Sequence, residues 1–289
     1  MKKWILFTFM LLYSIFSFSQ SLEKRAAIET CNCLADYNRP SEKNFSECIG
    51  NSFAKTFMEE KDEKIREKAN TVEGITTIMR EIKALLPETC NVVKEEKIKA
   101  KREVHYADSD NQSAANYYTM AKDMMITGKY ELAIEGFQLA IKEDKNYVLA
   151  YDDMAACYRK LDDYDNAIKY YKKSLVIYPE GNFSLMNIAV VYSLKSDFKN
   201  SVRYYEKLID YEPNNAEGYY GAGKAYFGLK EYEKALDNIF KAHRIYTNEN
   251  SDYKADSEKI MAMMYQKLKA EDKEALFIKI AESNNIKLN

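Results

Sequence analysis

The chain has 289 residues, with 43 Lys plus Arg against 45 Asp plus Glu, and 46% of its residues are hydrophobic. A charge balance this close to neutral, with cations interleaved among acids, excludes general electrostatic attraction to nucleic acid. The length allows one or two domains and an ample packed core.

Residues 1–19 read as a secretory signal peptide. Lys2-Lys3 precede an apolar run from Trp4 to Phe18, and Ser17 and Ser19 have the separation of a cleavage site before Gln20. The run is shorter than the roughly 20 residues a membrane span needs. The expectation is therefore export, to the periplasm or cell envelope, with no stable membrane span after cleavage. An uncleaved anchor is the competing reading.

Residues 20–106 form a cysteine-containing helical domain. Leu22, Ala26, Ala27, Ile28 and Leu34 recur at helical spacing, and Asn38-Arg39-Pro40 marks a turn. Ser41 caps a second helix carrying Phe45, Cys48, Ile49, Phe53 and Phe57. The charged stretch Glu59 to Lys68 is a solvated helix or connector. A further helix from Thr71 carries Ile75, Ile78, Met79, Ile82 and Leu85, with Pro87 ending it or starting the next.

Export changes how the cysteines read. Cys31, Cys33, Cys48 and Cys90 form an even set, which in an oxidising compartment implies two disulfides. On one helix Cys31 and Cys33 point about 200° apart, so they need different partners. Across the turn Cys33 lies opposite Cys48, leaving Cys31 for Cys90; we favour this arrangement over the crossed one. Cys-x-Cys is too tight for a zinc site and lacks histidine support, so no metal is expected. A redox dithiol at Cys31 and Cys33 is the rival reading.

Residues 107–113 are polar and rich in turn formers, as expected of a linker or, equally, of the cap of the first repeat helix. From Ala114 to Glu249 a 34-residue unit repeats four times, at 114–147, 148–181, 182–215 and 216–249. Small residues mark it in pairs: Ala121 and Ala133, Ala155 and Ala167, Ala189 and Ser201, Gly223 and Ala235. Tyr117, Tyr151, Leu185 and Tyr219 precede the first small residue by four places. Tyr130, Tyr164, Phe198 and Tyr232 open the second half, and Pro179 and Pro213 close two units. Such a period means stacked helical hairpins, with small residues where helices cross closely. Residues 250–289 hold one more helix pair without the pattern, as a C-terminal cap would.

These residues resemble the tetratricopeptide repeat family, over about half of the chain and in phase. Leu185, Ser174, Leu208, Lys145 and Thr247 depart from its pattern. The resemblance implies an all-α fold, a tetratricopeptide-like superhelical solenoid preceded by a small helical domain. It also implies that a protein or peptide partner binds the concave groove lined by the first helix of each unit. Matching positions are Tyr118, Lys122 and Met125; Asp152, Ala156 and Arg159; Phe183, Met186, Asn187 and Val190; and Tyr220, Lys224 and Phe227. Aromatics there would anchor an extended partner and cations would read its carboxylates. The alternative is that the chain's own flanking helices cover part of the strip. A family clamp for chaperone C-termini matches poorly, since Tyr118, Lys122 and Asp153 stand in its places and Asp153 repels a carboxylate.

Other motifs reduce to packing. Gly218-Tyr219-Tyr220-Gly221-Ala222-Gly223-Lys224 imitates a phosphate loop, but Ala225 replaces the hydroxyl residue and the segment lies inside a helix; no nucleotide or other cofactor is expected. His105 and His243 stand apart from any nucleophile and acid. The pairs Asp152-Asp153 and Asp162-Asp163 read as solvated charges complementing helix N-termini. The expected function is an exported, non-catalytic scaffold within an envelope assembly or secretion complex; the alternative is a thiol-redox protein using Cys31 and Cys33.

Overall fold

The computed structural model describes residues 20–37 and 41–286. The expected signal peptide at 1–19 and the expected turn at Asn38-Arg39-Pro40 lie outside the described residues. Those described form fifteen helices and no strand. They fall into two compact units, 1–100 and 101–289.

The first unit holds α1 (Leu22–Ala35), α2 (Glu42–Met58), α3 (Glu63–Ala69), α4 (Val72–Thr89) and the first part of α5 (Asn91–His105). Each of the first four starts at a side chain that satisfies otherwise orphaned N–H groups. Ser21 accepts from Lys24, Ser41 and Asn44 form a reciprocal box, and Asp62 and Thr71 cap α3 and α4; such caps are worth about 1 kcal/mol each. Leu22, Ala26, Ala27 and Leu34 of α1 then pack with Ile49 of α2 and Ile78, Ile82 and Leu86 of α4. The junction of α3 and α4 closes only with glycine, because a Cβ on Gly74 would lie 1.7 Å from the Lys68 carbonyl oxygen. Pro87 does not end α4, which runs on to Thr89. Its ring fixes a helical φ, and the last turn closes beyond it through the Cys90 N–H to the Leu86 carbonyl.

Cys31 is joined to Cys90 and Cys33 to Cys48, with Cα separations of 5.1 and 5.7 Å, inside the usual disulfide range. Cys48 and Cys90 are fully buried in the core of this unit. Loop-closure entropy makes such links worth about 3 kcal/mol for the shorter loop and about 4 for the longer. Cys157 is free and buried, and burial pushes its thiol up to about 12.

The second unit follows a strict alternation. The pairs are α6 (Gln112–Ile126) with α7 (Tyr130–Glu143), α8 (Val148–Lys160) with α9 (Tyr164–Ile177), α10 (Asn182–Leu194) with α11 (Phe198–Tyr211), and α12 (Ala216–Gly228) with α13 (Tyr232–Asn248). α14 (Lys254–Ala270) and α15 (Glu274–Ser283) pack on α13. Phe240 and Phe277 meet edge to face there, and Met264 and Leu268 join the same core.

The small residues sit where each hairpin crosses. Ala121, Ala133, Ala155, Ala167, Ala189, Ser201 and Ala235 are all essentially inaccessible. At Gly223 a Cβ would approach Ile239 Cγ1 to 2.6 Å, and at Gly221 it would strike the Tyr205 ring. The glycines of the phosphate-loop look-alike are thus accounted for by packing inside α12.

The hairpin turns share one geometry. Gly128, Asp162, Ser196 and Lys230, each 34 residues after the last, all have positive φ, between 56° and 77°. The next N–H in each turn donates back to Met124, Tyr158, Tyr192 or Tyr226 at 2.9–3.0 Å, the C-terminal helix closure that favours a left-handed residue.

Two outcomes follow. Thiol titration of unfolded, unreduced protein finds one free cysteine per chain; three or more would favour the redox reading of Cys31 and Cys33. Gly128→Ala lowers the unfolding free energy by about 1 kcal/mol, since no atom lies within 4 Å of the added Cβ and only the left-handed φ resists it. An unchanged urea midpoint would contradict this.

Candidate functional site

The first helices of successive hairpins, α6, α8, α10 and α12, carry the strip expected to receive a partner. Part of that strip encloses a cavity of about 360 Å³. Five of the expected residues line it: Tyr118 and Lys122 from α6, Asp152 from α8, and Phe183 and Met186 from α10. Leu149, Asp153, Asn182 and Asn215 complete the wall, together with Tyr106 from the segment just after α5.

The remaining expected residues lie elsewhere on the strip. Asn187 is buried and donates to the Phe183 carbonyl at 2.9 Å, a structural bond. Ala156 is also buried. Arg159 lies beside Tyr171, and Met125 and Val190 are half-buried among apolar neighbours. Tyr220 sits 6.4 Å from Tyr246, with the Lys224 ammonium 5.3 Å from the Tyr220 ring centre. Phe227 packs on Tyr232.

The acid pair is the chief correction to the sequence reading. Asp152 and Asp153 are not solvated; they are 2% and 6% exposed. The stacking of α8 between α6 and α10 covers them, an effect that no local pattern reveals. Asp153 Oδ2 accepts from the Tyr118 hydroxyl at 2.8 Å and from the Lys122 ammonium at 2.5 Å. Asp152 Oδ1 accepts from Ser184, whose Oγ lies 2.9 Å from Ser174 Oγ. The Ser184 hydroxyl thus sits between Asp152 Oδ1 and Ser174 Oγ. Asp152 Oδ2 is buried without a hydrogen-bond partner. The other pair divides: Asp163 caps α9 by accepting from the Asn166 N–H.

Tyr106 is the residue that the sequence did not single out. Its hydroxyl is buried beside Asp152 as that carboxyl's neighbouring donor. The ring meets Tyr178 edge to face, and His105 stacks on Tyr178 at 4.5 Å. Lys101 pairs with Glu180 at 2.6 Å and Arg102 with Glu212, holding this segment against the repeats. The chain's own Tyr106 therefore takes one side of the strip and leaves the cavity beside it. An aromatic just ahead of the polar stretch at 107–113 was the available signal.

Burial pushes the Asp152 carboxyl up to about 7, against the opposing bonds from Ser184 and Ser174, with the Asp153 charge adding to the rise. A folded-state value above the unfolded one means that folding takes up a proton between about pH 4 and 7. The stabilising contribution is complete below that window and is lost as pH rises through it. Asp152→Asn removes the loss, so wild-type stability falls relative to the variant by up to about 4 kcal/mol between pH 4 and 8. Parallel pH profiles in urea denaturation would contradict this.

Residues 153–180 and 195–250 match tetratricopeptide repeat profiles. No curated protein matches the chain in sequence. Among solved structures, MamA residues 41 to the end from Desulfovibrio magneticus RS-1 aligns with a TM-score of 0.51 and 19% identity, over 62% of this chain and 95% of that one. A MamA RS-1 double mutant aligns at 0.50 and 19%, over 61% and 98%. A tetratricopeptide repeat protein from Parabacteroides merdae ATCC 43184 aligns at 0.48 and 19%, over 60% and 67%. No helix among the described residues is long and apolar enough to cross a membrane. The second unit is accordingly an all-helical array that carries tetratricopeptide repeats.

Proposed function

We propose that this protein is a non-catalytic interaction scaffold that binds an extended segment of a partner protein in the concave groove formed by α6, α8, α10 and α12. The observation that carries the reading is the cavity on that strip. It joins an apolar wall (Leu149, Phe183, Met186) to a fixed polar floor (Tyr118, Lys122, Asp152, Asp153). Rigid elements hold each polar group, which is the arrangement that orients a ligand rather than merely attracting it. Phe183 is 36% exposed at the mouth, a suitable anchor for an incoming side chain.

We place the scaffold outside the cytoplasm, at the envelope. Support comes from the composition of residues 1–19 and from two disulfides in the first unit, since such links persist in oxidising compartments. In this reading the first unit is a stapled helical domain and 250–289 caps the repeats.

Affinity capture from the native envelope, with the full chain as bait, tests the groove. Phe183→Ala lowers recovery of the specific partner about tenfold. Leu139→Ala, exposed on a second helix, leaves it unchanged. Equal recovery by wild type and Phe183→Ala would overturn the proposal.

A further inference from the structure

A charged surface lies on the second helices of two successive hairpins, which do not line the groove cavity. Between them α9 and α11 expose six cations, Lys169, Lys172, Lys173, Lys199, Arg203 and Lys207, against three acids. Those acids are placed elsewhere. Asp165 is bonded by Lys195, Glu206 accepts from the Tyr226 hydroxyl, and Asp210 sits at the far end of α11. Among the described residues none of the six cations forms an ion pair. The fold thus sorts charges that the sequence interleaves, for the preceding second helix, α7, exposes Glu131 and Glu135 instead.

Tyrosines fix where these cations stand. Tyr158 and Tyr170 stack with ring centres 5.4 Å apart, and Tyr192 and Tyr204 stack at 5.6 Å. The Lys169 and Lys173 ammoniums lie 5.3 and 4.9 Å from the Tyr170 ring centre. Lys172 reaches across to the next hairpin, 5.9 Å from the Tyr192 ring centre, and Lys207 lies 5.5 Å from that of Tyr204. Burial raises the Tyr204 hydroxyl pKa, and the nearby charges of Lys172 and Arg203 oppose the rise. Attraction to a ring face holds a flexible ammonium in place, so the charges stay concentrated.

Their spacing selects among anions. Lys169 and Lys173, like Arg203 and Lys207, are about one helical turn apart, roughly 6 Å along the axis. Alternate side chains of an extended chain repeat at about 6.6 Å, so a carboxylate on every second residue meets a cation on each turn. Arg203 adds the planar fork that suits a carboxylate. Nucleic acid fits less well, because the rings are paired with one another, overlaid by lysines and closed to base stacking. A bilayer also fits less well, since Val176 is the one large apolar side chain that α9 and α11 expose.

We propose that this face of α9 and α11 docks an extended acidic segment of a partner protein, whose alternate carboxylates lie across Lys169, Lys173, Arg203 and Lys207. The surface is separate from the groove, and neither reading depends on the other.

The test titrates the full chain into a fluorescein-labelled decapeptide of alternating Glu and Ser, and into its Gln-for-Glu counterpart, following anisotropy. The Glu peptide binds with a Kd at least tenfold below that of the Gln peptide, and added salt weakens it. Combined Lys169→Gln, Lys173→Gln and Lys207→Gln raises that Kd about tenfold. Combined Lys129→Gln, Lys254→Gln and Lys279→Gln, which removes the same charge elsewhere, changes it less than threefold. Equal binding of the two peptides overturns the proposal, as does an equal loss in both triple variants. So does capture of phosphatidylglycerol vesicles or a thymidine decanucleotide at lower concentration with the same dependence on Lys169, Lys173 and Lys207. Should the first triple variant fail to fold, the two peptides compared on the wild-type chain still decide. Phe183→Ala leaves the Glu peptide bound as before; a loss there would put it in the groove and overturn the proposal.

Discussion

The second unit depends on a distance of closest approach. Each hairpin crosses where Ala, Ser or Gly leaves no room for a larger side chain, and the Gly223 contact to Ile239 shows how little slack remains. Helices that close determine one another's rotation, because ridges on one must enter grooves on the next. Repeating the crossing every 34 residues keeps the first helices in phase. Residues far apart in sequence, such as Tyr118, Asp152 and Phe183, thereby reach one cavity. The left-handed residues that end those helices reinforce the spacing, since each turn closes by the same backbone bond.

Within that regular frame the second hairpin is the irregular one. Ser174 stands where the repeat pattern favours alanine, and Ser184 opens the following helix beside it. Both hydroxyls are buried, and Ser184 donates to Asp152. A solenoid gains most of its stability from uniform stacking, so a buried acid with a supporting hydroxyl pair works against stability and calls for another role. Buried polar groups of this kind concentrate at functional positions.

The fold was legible because its cause is periodic. Small residues, aromatics and turn prolines recur at fixed intervals, and the interval alone implies helical hairpins. The strip followed from the resemblance to the repeat family, carried over position by position, and Tyr118, Lys122, Asp152, Phe183 and Met186 do share a cavity. Three things were not legible. The burial of Asp152 and Asp153 arises from helices before and after their own, so a turn-by-turn reading took them for solvated acids. Ser174 read only as a departure from the repeat pattern because its partner, Ser184, belongs to the next repeat. Tyr106 lies outside the periodic region, and an aromatic ahead of a polar stretch does not say which element it turns back against. In each case the missing information is a contact between elements rather than a property of one.

The account of the strip stands on a carboxyl that the stacking of α8 between α6 and α10 takes out of water. Its most direct measurement is a 13C NMR titration of the Asp152 side-chain carboxyl in the full-length protein. The account predicts a midpoint near 7. A midpoint in the ordinary aspartate range near 4 would contradict it.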